Sequence, residues 1–343
     1  MSAPENVFRE SALGSTPIRS LGLTLAGTAL EPLLAAFLEE VRNAGIIRLK
    51  PRFYLSTEWG VPFDTIAIAI PFYLARPELT AIHAERTGLV EGKSHADILR
   101  YLRHEMGHVV NYGYQLYNEE GWVKMFGSIT QPYVEEYRPE PFSRRFVRHL
   151  PGWYAQKHPD EDWAETFAVW MTPGLNWREE YKIWPDALAK LQYCDRTTTA
   201  LSNQDPIVTA DELDEDVGEV SHSIDQFYRE LSPTNLELPS GLDGALRAIF
   251  EDLGQPEDAT PGLPRRKASA LIARLERDLT ANVYRWTGHF PERTRLLVRH
   301  LAERADSLQQ GYPENQEVQA ATAITTLITA LAMNHVLRGT YLP

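Results

Sequence analysis

The chain predicts an α+β fold, predominantly helical, with a small sheet and several helices in one domain and an all-helical domain after it. Three observations carry this. IIRLKPRFYLS (46–56) and TIAIAIPFYLA (65–75) are apolar, rich in β-branched residues, and read as strands. Apolar residues recur at helical spacing around them, over 28–45, 94–113 and 159–172. After about residue 195 the pattern becomes wholly helical, over 241–253, 265–286, 292–310 and 315–338. The boundaries that follow are a loosely ordered segment at 1–20, a first domain at 21–200, an acidic linker at 201–219 and a helical C-terminal domain at 220–343.

Thr28 and Glu31 have the spacing of a capping box, so a helix is expected from Thr28 to Gly45, burying Leu33, Leu34, Phe37, Leu38 and Val41. Pro71 cannot donate to a ladder, so the second strand lies at an edge or stops there. SHADILRYLRHEMGHVVNYG follows, with Ser94 placed to cap a helix and Gly113 to close it. Residues 114–157 are aromatic and contain prolines. Pro159 suits the first turn of the next helix, and Pro173 ends it. DPIVTADELDEDVGE (205–219) reads as the acidic linker or a solvated loop. Beyond it, Leu271, Leu275 and Leu279 form one stripe, and Ile324, Leu327, Ile328, Leu331 and Val336 another, so helices must pack there; no strand is expected.

Bulk properties restrict the function. A net charge of −13 on 343 residues repels nucleic acid and anionic membranes, so neither is an expected partner. Cys194 is the sole cysteine, which excludes an internal disulfide and a cysteine-built metal site. The first fifteen residues lack a basic stretch leading into an apolar core, and LGLTLAGTALEPLLAAFLEEV is broken by Glu31, Pro32, Glu39 and Glu40. The expected location is the cytoplasm. Nothing in the sequence sets the oligomeric state.

RHEMGHVVNY (103–112) carries the chemistry. A random HExxH turns up in only about two chains in a hundred of this size, so the match is informative. His104 and His108 lie one turn apart on one helical face and can reach a single Zn²⁺. Glu105 is rotated by about 100° from His104, beside the metal, where it can take a proton from zinc-bound water. A catalytic zinc needs a third protein ligand and an open position. YAQKHPDEDWAETFAVW (154–170) offers Glu161 and Glu165, again four apart, next to an apolar stripe of Trp163, Phe167 and Trp170. Two carboxylates on a half-buried face need a cation or an imidazole N–H, so one is expected on zinc and the other behind a ligand histidine.

HEMGH followed by E-D-W-A-E-T-F resembles the gluzincin metallopeptidases, and more closely the bacterial zinc-binding metallopeptidases with an RHExGH helix and a segment like HPDEDWAETFA. The pattern of a Tyr, then E-x-[FW]-A-E-x-F, is similar to the catalytic domain of anthrax lethal factor. The resemblance covers roughly residues 45–195. It implies a zincin-like domain holding one Zn²⁺ per chain on His104, His108 and Glu161, with Glu165 behind a histidine and Tyr154 as the active-site phenol. The 53 positions from His108 to Glu161 exceed the compact gluzincin spacing, so 114–153 is expected to form a wall or lid. An aminopeptidase-like alignment, W-A-E-T-F-A against W-x-x-E-x-F-A, makes Glu165 the ligand instead.

These residues imply hydrolysis of a peptide or related amide, with Glu105 as general base and Tyr154 donating to the oxyanion. TIAIAIPFY is a candidate edge for an extended peptide, or an ordinary core strand. Arg138, Arg144, Arg145 and Arg148 are a candidate clamp for a substrate carboxylate, or a solvated basic patch. Two other functions fit the same residues. One is a processing enzyme for a single partner protein or unusual amide. The other is a catalytically silent, zinc-stabilised binding module, which has no need of Glu105.

Overall fold

The computed structural model describes residues 13–133, 137, 139–140, 143–231, 241–253 and 264–342. They divide into two units, 1–83 with 90–230, and 84–89 with 231–343.

In the first unit, helix α1 (Leu30–Asn43) buries Leu33, Leu34, Phe37 and Val41. Its start is a displaced capping box: Thr28 Oγ1 accepts from Leu30 N–H at 3.2 Å, and Glu31 reaches back to Gly27 N–H at 2.8 Å. Strands β1 (Arg52–Ser56) and β2 (Ala67–Pro71) pair in parallel, Arg52 opposite Ala67. Both are shorter than expected. Pro51 has no N–H, so Ile46 and Leu49 are buried outside the ladder. Pro71 ends β2, and the chain turns through a 3₁₀ segment, Phe72–Ala75. On β2, Ala69 N–H donates to Gly60 O at 2.8 Å, so the edge offered to a peptide is taken there by this chain's own backbone.

Helix α2 (Pro77–Thr87) leads to α3 (His95–Gly113), where Ser94 Oγ accepts from Asp97 N–H at 3.2 Å. A short 3₁₀ turn and α4 (Glu120–Phe126) lie within the stretch 114–157, and a second 3₁₀ turn, Tyr154–Gln156, precedes α5 (Pro159–Met171). Then come α6 (Trp177–Glu180), α7 (Pro185–Leu201) and α8 (Ile224–Glu230). The core joins Phe37, Ile68, Ile70, Leu102, Met106, Val109, Trp163 and Phe167.

The acidic stretch is a strap rather than a free linker. Ile207 and Val208 N–H both donate to Gly113 O, Ile66 N–H donates to Ala210 O, and Val217 N–H donates to Leu55 O. Tyr54 Oη donates to Asp214 O at 3.0 Å, and Arg52 pairs with Asp211 at 2.9 Å. Backbone pairing, which charge patterning does not report, holds it in place. The expected loose N-terminal segment is also tied down from residue 17. Ile18 is buried, and its N–H and that of Arg19 donate to His222 and Val220 carbonyls. Residues 1–12 lie outside the described residues.

The second unit contains α9 (Asp243–Ile249), α10 (Ala268–Thr287), α11 (Pro291–Ser307) and α12 (Glu317–Arg338), close to the four helical patterns in the sequence. It is not all-helical. Strands β3 (Glu251–Asp252), β4 (Arg265–Lys267) and β5 (Gln310–Pro313) form an antiparallel sheet in the order β3-β5-β4. Two to four residues are too few for an alternating pattern to register. By length and composition the span Glu314–Arg338 is apolar enough to cross a membrane. Its Ala320, Ile324, Ile328, Leu331 and Ala332 pack into this unit's core.

His289 gives the second unit a pH dependence. It is buried, with Nδ1 2.8 Å from Thr294 Oγ1 and Nε2 2.8 Å from Tyr341 Oη. Burial, then the charges of His335 and Arg293, hold its pKa down at about 3. Unfolded histidine titrates near 6.5, so below that pH the unfolded chain takes up the proton first. Stability is therefore complete above about 6.5 and falls as pH drops towards 3, at a limiting slope of about 1.4 kcal/mol per pH unit. His289→Gln should flatten the difference in amide-exchange protection of α11 between pH 7 and pH 5. An undiminished difference would assign the slope to other groups.

Candidate metal centre

Two helices build the site, α3 with the histidines and α5 with the carboxylates. His104, Glu105 and His108 are all buried, as are Glu161 and Glu165. His104 Nε2 lies 3.0 Å from Glu161 Oε2 and 3.2 Å from His108 Nε2, and His108 Nε2 lies 3.4 Å from the same carboxylate oxygen. These edges match the spacing of about 3.4 Å between donors that each sit about 2.1 Å from a tetrahedral ion. His104, His108 and Glu161 are thus a set that could hold a metal ion.

The outer ring nitrogens face carboxylates. His104 Nδ1 lies 3.0 Å from Glu165 Oε1, and His108 Nδ1 lies 3.0 Å from Asp160 Oδ2. Glu165 also accepts the backbone N–H groups of His149 and Leu150. Asp160 accepts from Asn111 Nδ2 at 2.7 Å and from Tyr112 Oη. The His104–Glu165 hydrogen bond fixes that ring and leaves its Nε2 facing the triangle, while His108 Nδ1 has Asp160 beside it as a charge partner without hydrogen-bond geometry. Tyr154 stands with its ring 5.5 Å from that of His104.

Residues 78–222 match the model of a family described as "Putative zinc-binding metallo-peptidase". The match covers less than half of the chain, and marks what this stretch is similar to. No curated protein and no solved structure gives a significant match to the chain. The family span takes in both histidines, Glu105, Tyr154 and the whole acidic run on α5.

Glycine sets the distance between the two helices of the site. A Cβ on Gly107 would stand 2.7 Å from Ala164 Cα and 3.2 Å from Ala164 O, so α3 and α5 approach this closely only because residue 107 has no side chain. Trp163 Nε1 donates to Gly107 O at 2.7 Å, which pins the crossing. Asp162, next to Glu161, turns to a buried ion pair with Lys190.

The two histidines hold protons tightly, and Glu161 does not. Burial alone would lower His104, but hydrogen bonds to Glu161 and Glu165 and the charge of Glu105 bring it to about 9. His108 is raised too, against its burial, by Asp160 and Glu161. Burial would raise Glu161, but His108 and His104 hold it well below the usual carboxylate range. A cation in the triangle competes with these protons. Glu105 goes the other way, raised chiefly by burial, and its carboxylate makes no hydrogen bond to another described residue.

Tyr101, Glu105, His108 and Tyr112 form one line along α3. Trp59 stacks on Tyr101 with centroids 5.4 Å apart and planes 9° apart, and Phe63 meets Tyr112 edge-on at 5.1 Å. The connection between β1 and β2 is thereby fixed at both ends of the site. In the 114–157 stretch, Tyr133 Oη donates to Glu161 Oε1 at 2.9 Å. Trp153 adopts a φ of +60°, which is uncommon outside glycine, and the Arg148 guanidinium lies 3.8 Å from its ring. Arg148 therefore sits against aromatic rings, Arg144 and Arg145 are exposed, and Arg138 lies outside the described residues.

Sequence reasoning missed Asp160, Tyr133 and Gly107. Asp160 had a usable signal, because Asn111 and Tyr112 fall three and four places after His108 and continue its face.

Proposed function

We propose that the first unit is a zinc-dependent peptidase, with one Zn²⁺ held by His104, His108 and Glu161. The observation that carries this reading is the triangle of donors, backed on both histidines by carboxylates, inside a span of the zinc-binding metallopeptidase family. Zinc in such a set supplies the Lewis acidity that polarises a carbonyl and acidifies water.

The chain's own residues do the rest. Glu165 keeps the His104 imidazole in the tautomer that presents Nε2, and Asp160 stands beside His108 as its charge partner. Glu105 takes a proton from the attacking water and later returns it to the leaving amine. Its raised pKa brings it closer to the operating pH, which suits a group that must both accept and release that proton. Tyr154 stays protonated, held so first by burial and then by the charge of Glu161, and donates to the oxyanion. The substrate in this reading is a peptide or protein, and the setting is the cytoplasm.

Elemental analysis should find about one zinc per purified chain. The zinc-loaded protein should then cleave a peptide library, read by mass spectrometry. A chain that takes up no transition metal even when zinc is supplied sinks the proposal; zinc without cleavage leaves a binding module. Asp160→Ala should fold normally and lose about 10- to 100-fold in zinc affinity by chelator competition. Unchanged affinity would remove Asp160 from the site.

A further inference from the structure

We propose that Tyr133 is a positioning residue of this centre: its hydroxyl fixes the Glu161 carboxylate so that one oxygen faces the histidines, and it is the resting acceptor of the Tyr154 proton. The proposal rests on the reading of the triangle as a metal site.

The two oxygens of Glu161 have separate partners. Oε2 faces His104 Nε2 at 3.0 Å and His108 Nε2 at 3.4 Å, while Oε1 accepts from Tyr133 Oη at 2.9 Å. A phenol has one proton to give. Tyr133 gives its proton to the carboxylate, so in the 3.4 Å contact between the Tyr133 and Tyr154 hydroxyls the donor is Tyr154. The rings are held independently of these hydroxyls. Lys157 Nζ lies 4.4 Å from the centroid of Tyr133 and 5.3 Å from that of Tyr154, and the His158 ring stands 5.5 Å from Tyr133. Lys157 and His158 immediately precede α5, so the clamp on the two phenols and Glu161 share one rigid origin.

Two consequences follow for the site. Without the Tyr133 hydroxyl, Oε1 loses its anchor and the carboxylate can rotate away from its one-oxygen presentation. With it, the Tyr154 proton is already directed next to Glu161, and moves to substrate by a rotation of the hydroxyl alone.

The test is Tyr133→Phe in the full chain, which removes one oxygen and keeps the ring. Zinc itself is the probe, titrated against a chelator. Affinity should fall by about 10-fold or more, in the range of other groups that orient metal ligands. Tyr154→Phe, which does not touch the carboxylate, should stay within about twofold of wild type, and the double variant should match Tyr133→Phe. The thermal midpoint of metal-free Tyr133→Phe should equal that of wild type, which separates positioning from general loosening. Unchanged zinc affinity in Tyr133→Phe overturns the proposal, and so does an equal fall in Tyr154→Phe. Wild-type chain that binds no zinc overturns the metal-site reading first and this one with it. Zinc binding without peptide cleavage leaves the affinity comparison in force.

Discussion

Glu105→Gln is expected to keep its zinc and to lose hydrolysis by about 10²- to 10⁴-fold, the usual contribution of a positioned general base. The carboxylate follows His104 on α3 yet is absent from the donor triangle, so the metal does not depend on it. It is buried, its pKa is raised mainly for that reason, and it makes no hydrogen bond to another described residue. Glutamine preserves the shape and the burial but cannot accept a proton. The comparison needs two measurements on the same preparation, zinc per chain and kcat on a peptide that the wild type cleaves. A variant that hydrolyses at the wild-type rate would show that Glu105 is not the base. One that loses its zinc would place Glu105 among the residues that bind the metal.

Gly107→Ala should produce the largest effect of a single methyl group. The added Cβ would meet Ala164 Cα at 2.7 Å and its carbonyl oxygen at 3.2 Å, and these are backbone atoms of α5 that cannot step aside like the tip of a side chain. Relief requires the helices to part by some tenths of an ångström, at a cost of about 1–3 kcal/mol for an overpacked contact. That movement carries Glu161 away from His104 and His108, which flank Gly107 on α3. Metal–ligand distances tolerate only about 0.2 Å, so zinc affinity should fall further than the loss of stability alone would give. Trp163→Phe, which deletes the hydrogen bond to Gly107 O but leaves the helix spacing free, serves as the control. If Gly107→Ala binds zinc as tightly as wild type, the spacing of α3 and α5 is not what places Glu161.

The parts of the site that lie on regular helices could be read directly. Ser94, the His104–His108 interval and Pro159 each act through local geometry, and local geometry is periodic in sequence. The interval from Glu161 to Glu165 gave a pair, and the structure separates them: Glu161 at the triangle, Glu165 behind His104. What escaped has no period. Tyr133 reaches Glu161 from irregular chain 28 residues upstream. Asp160 looks like one more first-turn acid in HPDED. Gly107 is written into the RHExGH pattern, but HExxH alone leaves it open, and its structural role exists only when a second helix lies against it. Helix α7 was also missed; its LAKLQYCDRTTTAL mixes polar residues and a run of three threonines, which blurs the stripe.

The strap at 205–219 bears on where this chain can be divided. A cut placed before it, at the change of composition, would strip partners from the Leu55 and Gly113 carbonyls and from the Ile66 amide. It would also discard α8 and the carbonyls of Val220 and His222, to which the amides of Arg19 and Ile18 are tied. The first and last stretches of the site-bearing unit are thus fastened to each other, like the two ends of a belt. A minimal fragment has to run from before residue 17 to about residue 230, and anything shorter at either end opens the buckle.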